Sequence, residues 1–329
     1  MNRRINKSVA ILMILMMVFT WLPCIVYAAE DNSGTLENFP SLGFDGDKDV
    51  MQNNNGTITK VSSKGEIINN NQTIITCSGT VNVNQAGASI DALEGGTAYV
   101  GTNSGTISKM SNDAIVSSND GKIEEIGNSA KVTNNYGAIT KNAGEIEHMY
   151  KGTVKTNEGS GKIAFANEGN LAIGTCEIET NKGQVTVKVD QKASYKIVIT
   201  NNEKELVLTA GKVSLEKNTG KVTVSGSAEL LCDSNDGTII LNDDAIVSCK
   251  TNNKDIKANS ASAKCDCTNN NGTIISGNYY EVIIRDNDNE NTELINEPED
   301  YHYSGFIFNH EKSAYRITKI LLLLKPQQL

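Results

Sequence analysis

Rings and proline are scarce in this chain of 329 residues. Aromatic side chains make up 5%, with 4 Pro and 1 Trp, and Trp21 falls in an N-terminal segment expected to be removed. So few rings exclude a conventional large globular core, which draws much of its buried area from aromatics. Scarce proline, together with Val and Ile recurring along the whole length, excludes collagen and argues against disorder. Arginine is short too: Arg3, Arg4, Arg285 and Arg316 are the four present, so none lies between Ala29 and Ile284. The formal charge is -9. An acidic body without arginine repels phosphate backbones, so neither nucleic acid nor an anionic membrane surface is an expected partner. What the chain holds in quantity is Asn, 40 residues of it, and 28 Gly.

The first 28 residues read as a secretory signal peptide. Arg3, Arg4 and Lys7 precede an apolar run from Val9 to Val18, and Val26 and Ala28 are the small residues before a cleavage point at Ala29. An uncleaved anchor is the alternative, opposed by Pro23 and the small-residue exit. Trp21-Leu22-Pro23 before Cys24 lacks the small residues of a lipid-attachment site. Cleavage removes three basic and no acidic residues, leaving 27 against 39, a charge of -12. A secreted or cell-surface location follows, with no membrane span after cleavage.

The body repeats. Asn54-Asn55-Gly56-Thr57-Ile58, Asn103-Ser104-Gly105-Thr106-Ile107, Asn119-Asp120-Gly121-Lys122-Ile123 and Asn235-Asp236-Gly237-Thr238-Ile239 share the form Asn-x-Gly-x-Ile. Apolar anchors recur at Ile58, Ile74, Ile90, Ile107, Ile123, Ile139, Val154, Leu171, Val187, Leu206, Val222, Ile239, Ile256 and Ile274. Four residues ahead of them stand Asn54, Asn70, Asn103, Asn119, Asn135, Asn167, Asn202, Asn218, Asn235, Asn252 and Asn270, with Ala86, Tyr150 and Gly183 in the remaining places. A weaker half-repeat, such as Gly144-Glu145-Ile146, lies between anchors. Recurring Asn and Gly rule out helix, while Gln184-Val185-Thr186-Val187 alternates as a strand does.

These features predict an all-β fold: a parallel β-solenoid of about 14 coils of 16–17 residues, in which Ile and Val columns stack into one narrow core. Stacked Asn amides are expected to form a ladder, with Asn accepting left-handed turn conformations and Gly allowing positive φ. The hand is not written in the repeat; right-handed is the commoner one and is taken as the expectation. The expected division is a signal at 1–28, an N-terminal linker or cap at 29–52, solenoid at 53–278 and a C-terminal β cap or small module at 279–329, whose ending at Leu329 leaves open a truncated product. Leu36, Phe39, Leu42 and Phe44 are candidates to cover the first coil. The Asn-x-Gly-x-Ile coils resemble the β-helix repeats of secreted and surface-displayed bacterial proteins. That likeness implies architecture, and it spans adhesins, polysaccharide-active enzymes and ice-binding proteins.

Candidate chemistry is thin. Cys232, Cys249 and Cys267 each stand seven residues before an anchor, so they are expected to stack on successive coils. They either fill an inward apolar slot or pair as a disulfide; metal binding through Cys265-x-Cys267 lacks a nearby His. Asp286, Asp288, Glu290 and Glu297 have the spacing of a calcium loop, as Asp45, Asp47 and Asp49 have of its start, with a solvated acidic turn as the alternative. Calcium is thus the one candidate ion, and no other cofactor is expected. His302 and His310 have no partners at metal spacing. Acidic pairs such as Asp243-Asp244 and Glu124-Glu125 would serve glycoside chemistry if they faced each other across coils. Thr57, Thr73, Thr106 and Thr153 hint at a flat hydroxyl row, interrupted by Lys122 and Ala138. The expected function is an exported, non-enzymatic scaffold, stalk or adhesin meeting a glycan or a cell-surface protein. The alternative is a polysaccharide-binding or polysaccharide-active β-helix, which a concave cluster of carboxylates with a Lys would favour.

Overall fold

The computed structural model describes residues 28–29, 31–40, 49–166, 174–189, 195–260, 262–276, 281–286 and 294–296. They contain strands and turns and no helix, hence none long and apolar enough to cross a membrane. Consecutive strands alternate between two parallel sheets of 16 and 15 strands. Sheet A contains Asp49–Asn54, Gly65–Asn70 and Thr80–Asn84; sheet B contains Thr57–Val61, Thr73–Cys77 and Ser89–Glu94. Each coil therefore lays one strand on each sheet, and the stacked coils build a parallel β-solenoid.

The pairing is in register from coil to coil. Ile58, Ile74, Ile90, Ile107, Ile123, Ile139 and Val154 form a single column in sheet B. The later anchors do not continue that column. Leu206, Val222, Ile239, Ile256 and Ile274 stand in sheet A, together with Val185 rather than Val187. Leu171 lies outside the described residues. A motif that reads as one series along the sequence therefore occupies opposite sheets in the two halves of the rod.

Between the sheets lies a continuous apolar core of Ile, Val, Leu, Met and Cys. In the first half Tyr99–Asn103 buries Val100 and Asn103, three residues apart, because the strand bends into the corner. In the second half Glu229–Asn235 buries Leu230 and Cys232 at strand spacing, then Asn235 at the corner. Among the described residues every buried polar side chain belongs to an Asn.

Regular pairing is wider than 53–278. Thr35–Phe39 pairs with Thr57–Val61, and Asp49–Asn54 with Gly65–Asn70, so much of 29–52 joins the stack as strands. Phe39 is buried and Leu36 packs against the core, while Leu42 and Phe44 lie outside the described residues. At the other end Glu281–Asp286 and Leu294–Asn296 extend both sheets past residue 278.

Positive φ falls on Gly87, Gly95, Gly152, Gly211 and Gly226, as expected of glycine, but not on the ladder Asn. The non-Gly residues with positive φ among those described are Asn112, Asp113 and Asp243, all in the wider turns and none in the ladder. Gly121 and Gly137 carry no positive φ either; a Cβ on Gly121 would run into the carbonyl oxygen of Gly105, and one on Gly137 into that of Gly121. At these two positions glycine serves close approach between coils.

Candidate functional site

The most built-up feature is the amide ladder. Asn54 Nδ2 donates to Asn70 Oδ1 at 2.7 Å, Asn70 to Asn84, Asn84 to Asn103, Asn103 to Asn119 and Asn119 to Asn135, each at 2.7 Å. Asn32 opens the file by donating to Asn54 at 2.7 Å. A second file runs through Asn142, Asn157, Asn181, Asn202, Asn218, Asn235, Asn252 and Asn270 at 2.7–2.8 Å. Several amides also serve their own turns: Gly56 N donates to Asn54 Oδ1 at 3.3 Å and Asn70 Nδ2 donates to Gln72 O at 3.1 Å, while Asn54 Nδ2 also reaches Thr73 O on the next coil at 3.3 Å. Buried backbone groups at the corners thereby find partners.

The structure brings together ten of the eleven Asn expected in the ladder; Asn167 lies outside the described residues. Ala86, Tyr150 and Gly183 do not fill the remaining places. Asn84 and Met149 stand in two of them, and Asn181 serves the corner next to Gly183. Asn142 and Asn157 were also missed. The signal for them was each Asn two to four residues before a Gly, as in Asn142-Ala143-Gly144.

Cys232, Cys249 and Cys267 stack in register in sheet B. All six described cysteines are free and buried. Burial pushes the thiols of Cys77 and Cys176 up to about 12. Cys249 is raised first by its thiol hydrogen bond with Cys232, Cys267 first by that with Cys249, and Cys265 by burial. Such thiols stay protonated and are poor nucleophiles.

The carboxylate pairs do not face each other. Glu124 bonds Lys122 at 2.9 Å, Glu125 lies 3.9 Å from Lys109, and all four side chains are about half exposed. Asp243 turns back to accept from Gly226 N at 3.1 Å. Of the calcium candidates, Asp286 ends a strand whose side chains are not described, while Asp288, Glu290 and Glu297 lie outside the described residues, as do Asp45, Asp47, His302 and His310. Among the described residues no group of three or more His, Cys, Asp or Glu is placed to hold a metal ion. Thr35, Thr57, Thr73, Ser89 and Thr106 form one outward row, which Lys122 and Ala138 then interrupt.

Two further features have no counterpart among the sequence expectations: one an aromatic contact at the edge of the core, the other on the surface. Tyr136 and Tyr150 stack at 5.1 Å with rings 12° apart, and Lys151 Nζ stands 5.9 Å from the Tyr136 centroid. His148 lies 6.0 Å from Tyr150. The two tyrosines each follow a corner position by one residue, which is the sequence sign of their contact. The second feature is an open groove of about 440 Å³ on the outer face of sheet B, crossing successive coils and lined by Lys196, Ser214, Glu216, Asp233, Lys250 and Asp266 among others. Asp233 and Lys250 form an ion pair there at 2.6 Å.

Geometry alone identifies the architecture. The chain is a parallel β-solenoid with an asparagine ladder. No family model, curated protein or solved structure matches it.

Proposed function

We propose that the protein is an exported, non-enzymatic β-solenoid that serves as an extracellular scaffold, stalk or adhesin. One observation carries this reading: polar chemistry in the described interior is spent on the ladder, and the charged side chains stand outside, many in exposed ion pairs. A stack of coils that contact only their neighbours gives reach and a regular surface without a reaction centre. Partners would be glycans or cell-surface proteins, since the arginine-poor acidic body disfavours phosphate polymers. Export rests on the first 28 residues, and N-terminal sequencing of the released protein should start at Ala29. The direct test is binding of the 29–329 chain to glycan and cell-surface protein arrays, with binding and no turnover expected. Cleavage of any glycan in a panel of acidic and neutral polysaccharides would overturn the scaffold reading.

The groove on sheet B favours a second reading, polysaccharide binding. It sets Glu216 and Asp233 beside Lys250 and Lys196 in one concavity, a mixture of acceptors and donors suited to sugar hydroxyls. Loss of glycan binding in Glu216→Ala and Lys196→Ala, with unchanged stability, would establish it.

A further inference from the structure

Sheet A carries an uncharged outer patch. Its strands Thr80–Asn84, Tyr99–Asn103 and Ile115–Asn119 hold no Asp, Glu, Lys or Arg. The sheet B strands between them, Ser89–Glu94 and Thr106–Ser111, hold Asp91, Glu94 and Lys109. On the neighbouring sheet A strands the charges stand at the borders of the patch. Glu66 accepts from Asn82 Nδ2 at 3.1 Å on one side, and Lys131 pairs with Glu147 on the other.

The patch is also where apolar side chains reach the solvent together. Among the described residues four large ones are exposed, Ile75, Tyr99, Ile115 and Ile246. Of these, Tyr99 and Ile115 alone are register partners, at 37% and 36% exposure. Beside them a second outward row runs from coil to coil through Val83, Thr102, Ser118 and Asn134. In-register parallel pairing keeps both rows straight and repeats each position roughly every 4.8 Å. Asn134 Nδ2 donates to Ser117 O at 3.2 Å, so this amide, like that of Asn82, is oriented before any ligand arrives.

Size selects the occupant. Three strands of five residues cover roughly 15 Å by 15 Å. A stable protein–protein contact buries about 800 Å² on each partner, several times more. A narrow polymer fits such a patch. Tyr99 beside Ile115 offers an apolar platform for the C–H face of a sugar ring, and Thr102, Ser117 and Ser118 supply hydroxyls next to it. The patch has no charge to pair with an ionic glycan, and the acidic body repels an anionic one.

We propose that this face of sheet A, centred on Tyr99, Ile115 and Ser117, docks a neutral β-linked polysaccharide lying along the rod axis. One pyranose ring meets each coil, because a ring is about as long as the roughly 4.8 Å coil spacing. The proposal rests on the glycan partner named in the proposed function and gives it a place distinct from the groove on sheet B.

Isothermal titration of the full chain with cellohexaose, a neutral β-linked glucan, tests it, with polygalacturonate as the acidic probe. Cellohexaose should bind and polygalacturonate should not. Tyr99→Ala should weaken binding about three- to tenfold, while Tyr99→Phe, which keeps the ring, should bind as the parent does. Ser117→Arg raises a long side chain above the flat face and should abolish binding. Ile246→Ala, equally exposed but on sheet B, should change nothing. Melting curves check that the variants stay folded; should Tyr99→Ala or Ser117→Arg lose its fold, the other decides. No binding of cellohexaose, or binding that survives both variants, would overturn the proposal. So would binding lost in Lys196→Ala and Glu216→Ala instead, which moves the site to the sheet B groove. Self-association abolished by Ser117→Arg would overturn it too, by giving the face to a second copy. If other glycans bind and cellohexaose does not, this docking face is refuted while the adhesin reading stands.

Discussion

An Asn such as Asn54 does three things, since its amide caps its own turn, donates to the next coil and accepts from the previous one. Replacing Asn119 by Ala leaves Asn103 Nδ2 without its ladder acceptor and Asn135 Oδ1 without its donor, both buried. Orphaned buried groups of this kind cost about 1–3 kcal/mol each. We expect Asn119→Ala to lose stability in that range in urea melts, while Asn55→Ala, at an exposed position, changes it by about 0.5 kcal/mol or less. The thiols add a pH dependence. Cys77 and Cys176 titrate at about 12 in the fold against an ordinary 9.0, so between those values the folded chain holds protons that the unfolded chain has released. The stability they contribute is whole below pH 9 and lost as pH rises toward 12. Urea midpoints should fall across that window, and a Cys77→Ala, Cys176→Ala double variant should flatten the fall. A midpoint that stays level would contradict the burial of these thiols.

Among elements, the turns are held apart or together by what glycine omits. Gly105, Gly121 and Gly137 stack with backbone against backbone, so Gly121→Ala inserts a methyl where the Gly105 carbonyl oxygen already sits. Overpacking of this sort costs about 1–3 kcal/mol. Gly96→Ala meets nothing within 4 Å and should be near neutral, which makes the pair a controlled comparison by thermal melting. Strand existence was legible from Val and Ile spacing, and the Asn–Gly corner from its recurrence. The phase was not. Asn-x-Gly-x-Ile looks alike whether it turns sheet A into sheet B or the reverse, because the corner needs the same amide and the same missing Cβ in either direction. That is why spacing alone points to Val187 where the column holds Val185, and does not single out Asn142 and Asn157.

For the whole molecule, the 16 stacked strands of sheet A at roughly 4.8 Å per coil give a stack about 70 Å long. Far-UV circular dichroism of the 29–329 chain should show β structure, and a helical spectrum would refute the fold. Outer ion pairs such as Lys250–Asp233 and Lys212–Glu229 are exposed, so high salt should shift the melting temperature little. The groove on sheet B was invisible in sequence because Lys196, Glu216, Asp233 and Lys250 come from four different coils.

The sequence by itself determined the composition-driven outcome: scarce rings and abundant Asn and Gly, repeated every 16 or 17 residues, have few stable solutions besides stacked coils with amide corners. Short-range spacing suffices because each coil must bury its apolar face on the next one. Tertiary structure alone decided which corner each Asn holds, where the two files break and which side chains share the outer groove. Those depend on register between strands, and register arises only when the coils are laid on one another.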